Sequence, residues 1–283
     1  MMQTAGVPKH DRQLVLGIDF TSAPSRRKPI TCARTAFDGT RLSLEGLEHF
    51  HNFEAFEALL ATPGNWIAGI DFPFGQARRL VENIGWPTKW DACVRAVSRL
   101  DRAGFREALE DYKRDRAPGD KQHKRVCDVL TRSQSPQTLY GTPVALMFYE
   151  GAPRLLASGA HLPFNHDGDK SRVVLEAYPG VAARQLIGNR GYKSDDKRKQ
   201  TTEKHRARRD LIVQLTGEAG QTAFGFSIDA PAELADDPGA DDLDALICAV
   251  QAAWGFSQDD HGYGAPRDVD RLEGWISDPA LVS

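Results

Sequence analysis

The feature that most constrains the fold of this chain is a set of three apolar runs. Each run carries an acidic residue near its end. "QLVLGIDF" carries Asp19, "NWIAGIDFPFG" carries Asp71, and "SRVVLEAYPG" carries Glu176. Each run is short and is followed by a turn or a break, which is the pattern of a buried strand. In open α/β sheets, functional groups lie at the carboxyl ends of the strands. We therefore expect an α/β protein in which Asp19, Asp71 and Glu176 lie at one edge of the sheet.

The segments around these runs predict further elements. Asp38-Gly39 lies between two alternating runs, which indicates a β-hairpin. "FEAFEALLAT" predicts a short amphipathic helix that ends before Pro63-Gly64. "WDACVRAVSRLDRAGFREALEDYKRDR" also has a helical pattern, whereas "TPVALMFYEGAPRLLASG" favours a strand or hairpin followed by a helix.

The spacing of the runs predicts the domain organisation. Almost a hundred residues separate the second run from the third. An ordinary crossover between strands needs only about 10–12 residues including its helix. We therefore predict a single domain over residues 13–260, with a large, mostly helical insertion or subdomain at residues 76–170. Residues 1–12 and 261–283 are expected to be terminal extensions.

A fourth motif, "DDLDALICAVQAAW", predicts a buried helix with acids in its first turn. Asp241 and Asp244 are three residues apart and share one face of that helix. Acids at a helix start also act as caps or favour the helix dipole, and this interpretation stays open for Asp241 and Asp242. Asp244 differs because it leads into the apolar run, where an unpaired charge is costly.

Together these acids predict a metal site. Carboxylates at short range raise each other's pKa values, and divalent cations offset that repulsion. Oxygen ligands without Cys or His favour Mg²⁺ or Mn²⁺ over Zn²⁺. Two such ions ~3.5–4 Å apart stabilise both the attacking and the leaving oxygen of a phosphodiester displacement. The candidate metal ligands are Asp19, Asp71, Glu176, Asp241 and Asp244, each of which taken alone also fits a turn or a cap.

The motifs "GIDF", "GIDFPFG", "LEAYPGVAARQLIG", "YK" and "DDLDALICAVQAAW" occur in this order. This set resembles the domain-of-unknown-function family 429, DUF429, described as predicted RNase H-like nucleases, over about residues 14–254. The resemblance implies an RNase H-like fold with a five-stranded mixed sheet and flanking helices. It also implies a nuclease in which the five acids are catalytic, with at least one of them outside the innermost ligands.

The resemblance also includes Lys193 of "GYK", and it implies that this lysine reaches a phosphate or a carboxylate in the catalytic site. Two basic segments, residues 190–209 and 113–125, fit contacts with a phosphate backbone, although solvated charge runs of this kind are common. We therefore expect nucleic acid as the partner, with DNA and RNA both open.

Composition excludes some classes of function. A formal net charge of −3 excludes a uniformly basic protein, so a local patch must meet any polyanion. Four cysteines without a C-x-x-C pair argue against zinc and fit a reducing compartment. No run approaches the ~20 apolar residues that cross a bilayer, and no secretory signal is visible. We expect a cytoplasmic protein without a membrane partner, and the oligomeric state stays open.

Two other functions compete with the nuclease. An ATP-binding phosphotransferase of the actin and sugar-kinase type shares the sheet, and "GIDFTSAP" loosely resembles its first phosphate loop. Against it, the chain has no second Gly-rich phosphate loop. A non-catalytic binding protein on the same scaffold is the third hypothesis, and the acid cluster argues against it because a scaffold does not need one.

Overall fold

A computed structural model describes residues 12–194 and 196–282. Its centre is one mixed sheet with the strand order β5-β6-β4-β1-β2-β3-β7. Strand β1 pairs in parallel with β4 and antiparallel with β2. The strands are β1 Gln13–Asp19, β2 Ile30–Phe37, β3 Arg41–Phe50, β4 Trp66–Ile70, β5 Ala160–His161, β6 Asp169–Glu176 and β7 Ser227–Asp229.

Ten α-helices in the described residues flank this sheet. They are α1 Phe53–Leu60, α2 Arg78–Ile84, α3 Trp90–Val97, α4 Arg102–Arg114, α5 Val126–Thr131, α6 Val144–Ser158, α7 Pro179–Ile187, α8 Thr202–Thr216, α9 Glu218–Phe224 and α10 Asp241–Ser257. Short 3₁₀ turns lie at Lys197–Lys199, Ala232–Ala235, Asp259–Gly264 and Pro279–Leu281. Within the described part of the chain, every helix is too short or too polar to span a bilayer.

The mixed α/β architecture is confirmed, but the predicted number of five strands is wrong. Seven strands form the sheet because β5 and β7 extend its two edges. These strands have two and three residues, so neither contains the alternation by which a strand is recognised. The hairpin at Asp38-Gly39 is present as β2 and β3.

The two faces of the sheet bury different side chains, because successive residues of a strand point to opposite faces. Leu16 and Ile18 of β1 pack with α1, α2, α3, α4 and α6. Val15 of β1 and Leu175 of β6 pack with α7, α8, α9 and α10. The result is a sheet between two helical layers, and residues 76–170 supply most of one layer.

The segment "TPVALMFYEGAPRLLASG" corrects one expectation inside this insertion. It forms the single helix α6 rather than a strand or hairpin followed by a helix. Pro153 lies inside that helix, and Gly159 ends it in a left-handed conformation with φ 69°. Many residues of this segment are apolar and buried, and periodicity alone does not separate a buried helix from a buried strand.

Helix α10 lies directly against the centre of the sheet. A Cβ added to Gly17 of β1 would lie 1.9 Å from the carbonyl oxygen of Ala245. A Cβ added to Gly69 of β4 would lie 2.3 Å from the carbonyl oxygen of Cys248. Only glycine permits this approach of helix to strand. The contact brings the first turn of α10 to the carboxyl ends of β1 and β4.

The end of the chain also packs against the sheet. Ile276 forms a parallel bridge with Glu176, and the Ser277 amide donates to the Glu176 carbonyl oxygen at 2.8 Å. Leu272 and Trp275 are buried. Residues 272–281, expected to belong to a terminal extension, therefore contribute to the core. The other predicted extension, residues 1–12, lies outside the described residues except for Arg12.

Candidate active site

Three of the predicted acids lie together. Asp19 is the last residue of β1, Asp71 follows β4 directly, and Asp244 lies in the first turn of α10. The Asp71 amide donates to the Ile18 carbonyl oxygen at 2.9 Å, which holds the two strand ends side by side. The charges of Asp244, Asp241 and Asp71 all act on Asp19. The parallel pairing of β1 with β4 and the close approach of α10 produce this cluster.

The carboxylates of two cluster members, Asp19 and Asp71, accept no hydrogen bond from the described residues. Burial raises the pKa of Asp19 well above its usual value; Lys193 opposes this effect and the neighbouring acids add to it. Burial likewise raises the pKa of Asp71 to about 7, again against the influence of Lys193. Both carboxylates therefore sit in a site that disfavours their negative charge.

Asp244, by contrast, is fully bonded. The Tyr192 hydroxyl donates to its Oδ1 at 2.7 Å, and the Lys193 ammonium contacts its Oδ2. Burial lowers the pKa of Lys193, but the charges of Asp244 and the nearby acids outweigh burial and raise it well above its usual value. The Lys193 side chain is 44% exposed, so it lies between the buried cluster and solvent.

A buried arginine anchors the segment that carries Lys193. Arg208 of α8 donates from Nη1 to the Tyr192 carbonyl oxygen at 2.8 Å and from Nε to the Ala235 carbonyl oxygen at 2.8 Å. It belongs to the basic segment for which phosphate contacts were predicted. In the folded chain Arg208 is buried, and its contacts instead hold the backbone next to Lys193.

Asp241 lies at the rim of the cluster. Its Oδ1 accepts a hydrogen bond from the Lys28 ammonium at 2.7 Å. The N-cap of α10 is Ala240, in a left-handed conformation with φ 60°, and the Asp241 amide donates to Oδ2 of Asp237 at 3.0 Å. Neither acid is the N-cap, but Asp241 and Asp242 both lie in the first turn of α10, where negative charge favours the helix dipole. Asp242 instead pairs with His49 of β3 at 2.8 Å.

Both carboxylate oxygens of Glu176 are bonded by an arginine. Arg125 donates from Nη2 to Oε1 at 2.6 Å and from Nη1 to Oε2 at 2.7 Å, and the Phe74 amide donates to Oε2 at 2.8 Å. Arg125 also bonds Asp128 and is itself buried. Burial raises the pKa of Glu176, and Arg125 opposes that shift. Arg125, part of the second basic segment, thus binds carboxylates inside the protein.

A cavity of about 240 Å³ connects these two groups of charged residues. Its charged lining consists of Asp71, Lys193, Glu176, Arg125 and Asp128. The remaining lining residues come from the strand ends, the insertion and the C-terminal segment: Phe72, Pro73, Ala177, Tyr178, Ser133, Gln134, Thr142, Val144, Met147 and Ile276.

The donor set fits a hard cation only in part. Among the described residues, no three His, Cys, Asp or Glu side chains converge closely enough to hold a metal ion. The carboxylates of Asp19 and Asp71 accept no hydrogen bond from the described residues, and oxygen donors of this kind suit Mg²⁺ or Mn²⁺. Both oxygens of Glu176 already accept hydrogen bonds. The five-acid ligand set stays a prediction, and Asp19 and Asp71 are its best-fitting members.

Sequence reasoning missed three residues of this site. Tyr192 and Arg208 hold Asp244 and Lys193 in place, and Arg125 neutralises Glu176. Tyr192 stands next to Lys193 in "GYK", and this position was its only signal. The two arginines had no signal for these roles, because Glu176 is 51 positions from Arg125 and Tyr192 is 16 positions from Arg208.

The fold and the site define an α/β protein with a carboxylate–lysine cluster at the carboxyl ends of two neighbouring parallel strands. The sequence profile described as "Protein of unknown function (DUF429)" matches residues 17–270. The chain therefore belongs to the DUF429 family, which confirms the resemblance drawn from its motifs. No match was found among curated proteins or among solved structures.

Proposed function

We propose that this protein is a divalent-metal-dependent nuclease that hydrolyses phosphodiester bonds of nucleic acid. The observation that carries the proposal is the pair Asp19 and Asp71, which are adjacent and accept no hydrogen bond from the described residues, with Asp19 buried and Asp71 half-buried. Such a pair is costly when it is ionised without a partner. A bound cation removes that cost, so the pair is better explained as a ligand set than as a structural element.

The proposed architecture is the RNase H-like fold. The five central strands, in the order β6-β4-β1-β2-β3, form a mixed sheet with β2 antiparallel to both of its neighbours. This agrees with the five-stranded mixed sheet that the family resemblance implies. The additional strands β5 and β7 are short and lie at the edges. Fold alone does not establish activity, so the proposal depends on the site.

The residues of the cluster have different roles in this proposal. Asp19 and Asp71 would hold the cation, and Asp244, which already binds Lys193, would be shared between the cation and this lysine. Bound Mg²⁺ or Mn²⁺ supplies activation of a water molecule and neutralisation of charge at the scissile phosphate. Lys193 keeps its proton, because its pKa is raised, and it reaches solvent, so its ammonium can donate to a phosphate oxygen.

The remaining two acids flank the proposed cation site. Glu176 has both oxygens occupied by Arg125 and Phe74, so in this proposal it sets the shape and charge of the cavity beside Asp71. Asp241 is bound to Lys28 and adds negative charge near Asp19.

The test is an assay of the purified protein on labelled DNA and RNA, single-stranded and duplex, with Mg²⁺, with Mn²⁺ and with EDTA. We expect cleavage that needs the metal and that falls by more than about 100-fold in Asp19→Asn, since even outer residues of metal sites cost 10–100-fold. Asp169→Asn is the matched control, because Asp169 is exposed, pairs with Arg172 and begins β6, at the end of the strand opposite Glu176. Cleavage in EDTA, or equal cleavage by Asp19→Asn, would refute the proposal.

Calorimetric titration with Mn²⁺ separates the alternatives. Binding that Asp19→Asn abolishes supports the nuclease. Thermal stabilisation by ATP together with absent cleavage would favour the phosphotransferase. Absence of any divalent-ion binding would favour a non-catalytic binding protein.

A further inference from the structure

The cavity beside Asp71 has walls from two distant parts of the chain. Phe72, Pro73, Ala177 and Tyr178 come from the segments that follow β4 and β6. Residues 133–147 of the insertion supply the other wall, which includes the side chain of Met147. The insertion therefore closes a space that the sheet alone would leave open, and this space adjoins the carboxylate–lysine cluster.

The chemistry of this cavity is mostly apolar. Its two charged residues from the insertion, Arg125 and Asp128, bind each other and are buried. The Ser133 hydroxyl also donates to Asp128 at 2.9 Å. None of these three is therefore a free receptor for a charged ligand. The polar groups that remain at the rim are the exposed side chains of Gln134 and Thr142.

The size of the cavity limits its ligand. Pockets for whole small molecules measure about 300–1,000 Å³. A cavity of about 240 Å³ is below that range and suits one ring system. Apolar walls with a few hydrogen-bonding groups at the rim suit a flat heterocycle. Asp71 and Lys193 border the same cavity, so a phosphate at the cluster and a ring in the cavity can belong to one nucleotide.

We propose that this cavity receives one unpaired nucleobase of the strand whose phosphodiester lies at the carboxylate–lysine cluster. This inference rests on the proposed nuclease function and adds a substrate class to it. A base inside a duplex is stacked and paired, and it must be extruded before it enters such a pocket. The preferred substrate is therefore single-stranded nucleic acid or a free dinucleotide, and a continuous duplex is disfavoured.

The first experiment measures binding without turnover. Asp19→Asn protein is titrated with a fluorescent single-stranded pentanucleotide, with an abasic strand of equal length, with a dinucleotide, and with a closed circular duplex that has no free ends or loops. We expect the single strand to bind at least about 5-fold more tightly than an abasic strand of equal length, the lower limit for one stacked base. The duplex should bind no better than the abasic strand. A dinucleotide that binds as tightly as the pentanucleotide would identify the small molecule as the natural source of the base.

Filling the cavity gives the second experiment. Met147→Trp places a large ring inside it, and Thr142→Trp does so from an exposed rim position where folding is not at risk. Val213→Trp is the control, because Val213 is exposed on α8 and does not line the cavity. We expect both cavity variants to lose the preference for strands with bases and the control to keep it. An unchanged preference in a folded Thr142→Trp protein would overturn the inference.

Cleavage of the abasic strand by the unmodified protein separates the two proposals. Metal-dependent cleavage of abasic and ordinary strands at equal rates would leave the nuclease proposal standing and would overturn the base pocket. Cleavage of neither strand would refute the nuclease. Tighter binding of strands with bases would in that case identify a base-binding site without hydrolysis.

Discussion

The buried guanidinium of Arg125 offers a sharp test of how the cavity is built. It is 1% exposed and donates to Asp128 Oδ1 at 2.8 Å, to Glu176 Oε1 at 2.6 Å and to the Glu273 carbonyl oxygen at 3.0 Å. Arg125→Met removes the charge and these hydrogen bonds but keeps an apolar chain of similar length. The change leaves two buried carboxylates without their counter-charge.

The loss of folding free energy expected for Arg125→Met follows from these contacts. Removal of one partner from a buried ion pair costs about 3–5 kcal/mol, because the other charge stays buried. Arg125 serves two carboxylates, so we expect the upper end, about 5 kcal/mol near pH 8. That is a large fraction of the about 5–15 kcal/mol by which native domains are stable. Arg190→Met, which breaks the exposed pair with Asp210, should cost less than about 1 kcal/mol.

The penalty should also depend on pH. Burial raises the pKa of Glu176, and the positive charge and hydrogen bonds of Arg125 oppose this rise. Without Arg125 the pKa in the folded state rises further above that in the unfolded chain. The folded state then binds more protons, so stability falls as pH rises through this interval. Arg125→Met should therefore cost less near pH 5 than near pH 8.

The assay is urea unfolding followed by tryptophan fluorescence at both pH values, in EDTA. Arg125→Met combined with Glu176→Gln should regain part of the loss near pH 8, because the amide carries no charge. Equal destabilisation by Arg125→Met and Arg190→Met, or a penalty that does not change with pH, would refute this account of the cavity.

Three further predictions concern the cluster and its support. The pKa of Asp71 is raised to about 7, so the metal-free protein should lose stability as pH rises from about 4 to about 7, and Asp71→Asn should reduce that slope in thermal unfolding. Gly17→Ala forces a Cβ against the Ala245 carbonyl and should cost about 3 kcal/mol or more in urea unfolding. Gly46→Ala, where a Cβ meets no atom within 4 Å, should stay within about 0.5 kcal/mol. Tyr192→Phe removes a buried donor to the last helix and should cost about 1–3 kcal/mol in the same measurement.

Local patterns were enough to find most of the sheet and the acids at its edge. The hairpin at Asp38-Gly39 depends on neighbouring residues alone and is confirmed. Asp19 and Asp71 were placed correctly at the ends of parallel strands, because an apolar run followed by a break marks both a strand and its end. Strands β5 and β7 have too few residues to carry any pattern.

What the sequence did not reveal depends on distant contacts. Arg125 binds Glu176 across 51 positions, and in sequence it was one member of a basic run. Tyr192 and Asp244 are 52 positions apart. The prediction of a strand or hairpin at the start of α6 was wrong because the many buried apolar residues there mask the helical periodicity. Such partners are chosen by the packed structure, so no local pattern contains them.

The contact of Gly17 and Gly69 with α10 also divides the site into a stiff part and an adjustable part. The backbones that carry Asp19, Asp71 and Asp244 are spaced by direct contact of helix and strands, so no intervening side chain sets the distance between these backbones. Lys193 reaches the same acids through a long, half-exposed side chain. Substitutions in the surrounding core should therefore leave the carboxylate spacing intact, while rotation of a single lysine alters the charge that an incoming phosphate meets.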